Sequence, residues 1–143
     1  MARKQPKREP REGVDEYGRT PLHYAASESR PDEVARLLTA GANVNLQDDN
    51  GWSPLHFAAQ ASSPECTSML LRAGASVSLR DSAGNTALSK AVFSSRGSGA
   101  VILLLREAGA DPLATNKHGV TPMGLARTIA NYDVAQFFSD IKS

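Results

Sequence analysis

The stretch "GWSPLHFAAQ", residues 51–60, decides how this chain folds. Ser53 stands where a helix N-cap accepts a free backbone amide, and Pro54 follows at a first-turn position that needs no donor. Leu55, Phe57, Ala58 and Ala59 then place apolar groups along a short helix. The pattern returns as "GRTPLHYAA" at 18–26, "GNTALSKAV" at 84–92 and "GVTPMGLAR" at 119–127. The capping residues Thr20, Ser53, Thr86 and Thr121 lie 33, 33 and 35 residues apart. A second pattern keeps the same step: "LLTAGA" (37–42), "LLRAGA" (70–75) and "LLREAGA" (104–110) place Gly41, Gly74 and Gly109 each 12 residues before the next cap. A third marker, Asp15, Asp48, Asp81 and Asn116, stands five residues before each cap.

One unit of this period is readable as physics. After the first helix comes a polar break, "SESRPD" (27–32) or "SSP" (62–64). A second helix follows, with Val34, Leu37 and Leu38, or Met69, Leu70 and Leu71, on its buried side. Gly41 or Gly74 ends it, because the left-handed residue after a helix favours glycine. The link "NVNLQDDNG" (43–51) is rich in Asn, Asp and Gly, which is turn chemistry. One such helix pair cannot bury its own apolar side. A stack of about three or more can, and the sequence supplies four.

The full pattern, D-x-x-G-x-T-P-L-H-x-A-A followed by L-L-x-A-G-A-x-V-N, is met almost completely by residues 15–45 and 48–77. In this the chain resembles ankyrin-repeat proteins. The resemblance implies an all-α solenoid of stacked antiparallel helix pairs with turn or hairpin fingers along one edge. Repeats are expected at about 15–47, 48–80, 81–115 and 116–143, after a disordered basic tail at 1–14. It also implies that His23 and His56 tie loop to helix inside their repeats. Finally, it implies a concave binding face built from finger positions and the exposed side of the first helices. Carried over by position, that face includes Tyr17, Arg19, Asp49, Asn50, Trp52, Asn85, Lys117 and His118, with Gln60 and Phe93 on the first-helix side. Trp52 has two readings. It is a contact residue, Trp and Tyr being enriched at interface hot spots, or it folds back over its own finger. Tyr24 and Phe57 are expected in the core between repeats.

Departures from the pattern carry their own expectations. Repeat three has Ala87 for proline and Ser89 for histidine, and a glycine-rich link, "FSSRGSGA" (93–100), that reads as flexible. Glu107 is expected to lengthen its second helix. Repeat four has Gly124 at the histidine position, a cost of about 1 kcal/mol in a helix. Its end, "YDVAQFFSDIKS" (132–143), sets Val134, Phe137, Phe138 and Ile141 on one side, as a cap packed inward. Repeat one is expected to cap itself with Glu28, Arg30, Asp32, Glu33 and Arg36.

Composition bounds the function. The 143 residues suit one domain, and the net charge is +1. Residues 1–14 hold five basic side chains against Glu9 and Glu12, a net of +3, which leaves about −2 for the rest. The single cysteine, Cys66, gives no disulfide framework and reads as a small packing residue. The longest apolar run is Ala100–Leu105, and no leader segment is legible, so the expectation is a soluble cytoplasmic chain, or a nuclear one if the tail serves import. No Cys or carboxylate set joins His23 and His56 at metal-ligand spacing, and "SSRGSG" lacks the context of a P-loop. The sequence therefore predicts no cofactor, no metal and no catalysis. It predicts a monomeric module that recognises another protein, inhibiting, sequestering or scaffolding it. An immunity-type inhibitor of a toxin is one form of that output. Nucleic-acid binding through the basic tail is the alternative. An acidic body argues against it, because phosphate recognition needs clustered Lys and Arg on the fold.

Overall fold

The computed structural model describes residues 12–141. Each of the four capping residues starts a helix: α1 (Pro21–Ser27) follows Thr20, α3 (Pro54–Gln60) follows Ser53, α5 (Ala87–Ser94) follows Thr86 and α7 (Pro122–Thr128) follows Thr121. Between them lie α2 (Pro31–Thr39), α4 (Pro64–Arg72) and α6 (Ala100–Glu107). The first helices stack in the order α1, α3, α5, α7, and the second helices in the order α2, α4, α6. Each first helix also packs on its own second helix. The result is an all-α solenoid of two layers.

The period is visible in the core as columns of equivalent residues. Leu22, Leu55, Leu88 and Met123 form one buried column, and Ala25, Ala58, Ala91 and Ala126 form another. The alanines let neighbouring helices approach, while each buried leucine contributes roughly 1.5–3 kcal/mol. In the second layer Leu70 and Leu105 are fully buried, and Cys66 is buried as a packing group. At the first repeat, Arg30 pairs with Glu28 and Arg36 with Glu33 on the exposed side.

The fourth repeat differs from its expected helix pair. Its second element is a short 3₁₀ helix, Val134–Phe138. Val134 and Phe138 are buried against the stack, and Phe137 and Ile141 are half-buried. The Arg106 guanidinium holds this segment to α6, donating to the Phe137 carbonyl at 2.8 Å and to both Asp140 oxygens at 2.7 Å.

Two expectations about repeat three are corrected. Glu107 does not lengthen α6: the helix stops two residues before Gly109, as α2 and α4 stop before Gly41 and Gly74. The extra residues sit in the α5–α6 link. Nor is that link a loose tether. A Cβ on Gly99 would lie 2.2 Å from the Phe137 ring, and one on Gly97 2.9 Å from the Tyr132 ring. These glycines admit two aromatic rings close to the backbone.

The expected tail falls mostly outside the described residues, at 1–11. Residues 12–14 make a turn into the first finger, with Val14 half-buried, so they join the fold instead of the tail. Residues 12–141 hold ten Lys and Arg against fourteen Asp and Glu, a net of −4. Among the described residues no helix is long and apolar enough to cross a membrane.

Candidate binding face

The fingers are tight turns closed by the third sequence marker. The Asp48 carboxylate accepts from the Asn50 and Trp52 amides at 2.9 and 2.8 Å. Asp81 does the same for Ala83 and Asn85, Asp15 for Tyr17 and Arg19, and the Asn116 side-chain carbonyl for His118 and Val120. Adjacent fingers are joined by single backbone bonds: Asp49 N–H to the Tyr17 carbonyl, Ser82 N–H to that of Asn50, and Lys117 N–H to that of Ala83. Gly51 has φ +80°, and a Cβ there would meet the Asp81 backbone at 2.8 Å, so this junction admits glycine alone.

The two equivalent histidines bridge repeats. His56 Nδ1 accepts from the Ser53 N–H at 3.1 Å, which puts the proton on Nε2. Nε2–H then donates to the Asn85 carbonyl, one repeat on, at 2.9 Å. His23 repeats this between Thr20 and the Trp52 carbonyl. Burial pushes both imidazoles below their ordinary pKa, so both are neutral at pH 7. The series then stops. Ser89 and Gly124 stand at the next two positions, and the Thr86 hydroxyl is buried without a hydrogen-bond partner among the described residues. The expected hydroxyl cap is present at Ser53 and Thr121 but not at Thr86.

On the finger side, aromatic rings and cations alternate across the first three repeats. The Arg19 guanidinium lies over the Tyr17 ring at 5.1 Å and over Phe57 at 5.3 Å, and its Nε donates to Asp48 at 3.0 Å. Trp52 packs on Phe57 with ring centres 4.8 Å apart, and Lys90 Nζ sits 4.2 Å above the Trp52 ring. Lys90 is itself paired with Asp81 at 3.0 Å. Burial alone would raise the Asp81 carboxyl, but the Asn85 amide and Lys90 hold it below its ordinary value. Trp52 is thus half-buried in a packed ladder. Tyr24, expected in the core, is exposed instead, its hydroxyl donating to Asp15.

The ten residues carried over by position divide into three groups. Tyr17, Arg19 and Trp52 belong to this ladder. Gln60, Asn85, Phe93 and His118 come together around a hollow of about 380 Å³ that spans repeats two to four. Asp49, Asn50 and Lys117 are exposed at the finger tips. Phe93 is 75 % exposed, the most exposed of the large apolar side chains among the described residues. The Asn85 side chain accepts from Asn116 at 2.9 Å, so part of its polarity is used internally. Sequence reasoning missed Lys90, Val120 and Leu125. Their signal was present: Tyr24, Phe57, Lys90 and Leu125 occupy one position of the period, and Arg19, Trp52, Asn85 and Val120 another.

Among the described residues no group of three His, Cys, Asp or Glu could hold a metal ion. A family model described as ankyrin repeats, in three copies, matches residues 22–116. No curated protein matches the chain. Ankyrin repeats are in general non-catalytic modules of protein–protein interaction. The 33-residue period, the aspartate-closed fingers and the histidine ties between them are therefore those of a known family, and this chain belongs to the ankyrin-repeat proteins.

Proposed function

We propose that this chain is a non-catalytic module that recognises a partner protein through the finger and first-helix face. The observation that carries this reading is the state of the side chains on that face. Tyr17 (51 % exposed), Tyr24 and Phe93 present apolar surface there, on a scaffold whose fingers are fixed by internal hydrogen bonds. Tyr17, under the Arg19 guanidinium, and Tyr24, bonded to Asp15, are held in place and so lose little freedom on association, which is what anchors an interface. Occupying a surface of the partner, and so blocking or tethering it, is the output such a module delivers. A nucleic-acid target is disfavoured by the net charge of −4 over residues 12–141.

The test is affinity capture from the native cell with the full chain and with Tyr17→Ala and Phe93→Ala variants, followed by mass spectrometry. Proteins retained by the parent and lost from both folded variants support the reading. Retention of the same proteins by both variants refutes it.

A further inference from the structure

Phe93 stands between two hollows. On the finger side is the one of about 380 Å³, whose apolar wall is Phe93, Val120 and Leu125. On the other side is a hollow of about 460 Å³ bounded by Ser62, Phe93, Ser95 and Arg96. No acidic side chain lines either one. Arg96 borders the second hollow, and Lys117 precedes His118 at the rim of the first. Neither cation pairs with an acid among the described residues. Residues 12–141 are net negative, and within them this corner is apolar and positive.

The finger-side hollow opens where the repeat pattern fails. Ser89 lines it at the position that holds a buried imidazole in repeats one and two. The Trp52 carbonyl accepts both from Asp48 N–H and from His23, and the Asn85 carbonyl both from Asp81 N–H and from His56. The Val120 carbonyl accepts from Asn116 N–H at 2.9 Å, and no histidine reaches it. Repeat three has thus given up a structural tie, leaving the Thr86 hydroxyl unpartnered, at the place where an apolar recess appears.

Resting on the reading that this face binds a protein, we propose that Phe93 and its two hollows take an acidic segment of the partner with a large apolar side chain at its centre. The apolar side chain enters the recess walled by Val120 and Leu125, and flanking carboxylates meet Arg96 and Lys117. Charge complementarity selects this occupant. The chain's own residues 1–11, with five basic side chains against one acid, carry the wrong sign for this corner.

The experiment selects short peptides from a displayed random library on the full chain and measures the selected peptides by fluorescence anisotropy. Enriched peptides are expected to carry net negative charge around one Leu, Phe, Met or Trp. Their affinity is expected to fall at least tenfold in Phe93→Ala and in Arg96→Glu, and to be unchanged in Leu103→Ala on the second-helix side. Ser89→His keeps the test independent of folding. It should raise the melting temperature, by giving the Thr86 hydroxyl a partner and the Val120 carbonyl a second donor, while weakening the peptides by filling the recess. Selected peptides without an acidic, apolar motif overturn the proposal, as does binding that survives Phe93→Ala. Peptides lost from Tyr17→Ala but retained by Phe93→Ala overturn it while leaving the binding face intact. Peptides lost only from Leu103→Ala overturn both. A dimer that Phe93→Ala dissolves, or an RNA oligonucleotide that displaces the peptides, assigns the corner to another occupant and also overturns it.

Discussion

His56→Ala tests whether the histidine ties hold the repeats together. The imidazole is 1 % exposed and serves two backbone groups, the Ser53 N–H at 3.1 Å and the Asn85 carbonyl at 2.9 Å. Removing it leaves the buried Ser53 N–H without an acceptor, worth about 1–3 kcal/mol, and takes one of two donors from the Asn85 carbonyl, which keeps the Asp81 N–H. It also leaves a void beneath Trp52, whose ring centre is 5.9 Å from that of His56. Partial entry of water offsets some of this, so a loss of about 3–5 kcal/mol is expected. Small domains are stable by roughly 5–15 kcal/mol, so the variant approaches unfolding. With a urea slope near 2 kcal/mol/M, the midpoint moves down by about 2 M. The assay is urea denaturation followed by the single tryptophan, which lies in the affected junction, and by far-ultraviolet circular dichroism. Ser89→Ala, at the equivalent position without a tie, is the comparison, and should shift stability by less than about 1 kcal/mol. If His56→Ala and Ser89→Ala cost the same, the imidazole is only filling space and the account of inter-repeat ties is wrong.

Three further outcomes follow from the same geometry. The two buried imidazoles are held below their ordinary pKa, so the folded state prefers them neutral. Their stability contribution is complete above about pH 6.5 and is lost as pH falls through the lowered folded values, with Asp81 adding a second loss below about pH 4. Thermal melts across that range check this, and a stability that rises on acidification to pH 5 contradicts it. Gly99→Ala should destabilise by about 1–3 kcal/mol, because its Cβ would press on the Phe137 ring; an unchanged melting temperature would show that the ring swings away freely. Trp52→Ala should lose stability as well as binding, by about 1–3 kcal/mol for a half-buried ring packed on Phe57 and Lys90. Equilibrium denaturation that leaves the variant within about 0.5 kcal/mol of the parent would remove the ladder from the account.

The sequence by itself determined the repeat. Caps, prolines, finger glycines and apolar columns are local requirements, each met by a residue type at a fixed step, so Thr20, Ser53, Thr86 and Thr121 could be read as helix starts from the chain alone. The finger aspartates were legible as a marker, but their work on the i+2 and i+4 amides became clear only in the folded turn. Tertiary structure decided everything that depends on which repeat faces which. Tyr24, like Phe57 at the equivalent first-helix position, is expected from the sequence in the core between repeats, yet it lies on the finger side, bonded to Asp15. The α5–α6 link looked loose from its glycines, and only the approach of Tyr132 and Phe137, more than 30 residues on, shows why they are there. Trp52 could be placed on a finger, but not over Phe57 and under Lys90, since that pairing crosses from repeat two to repeat three. The hollow beside Phe93 is of the same kind. Ser89 read as a lapse from the pattern, and it becomes a recess only when Val120 and Leu125 of the next repeat close its far wall. A period specifies what each repeat repeats; the surface is set by side chains from neighbouring repeats meeting in space, where the spacing of 33 says which positions are adjacent and the packing says what they do.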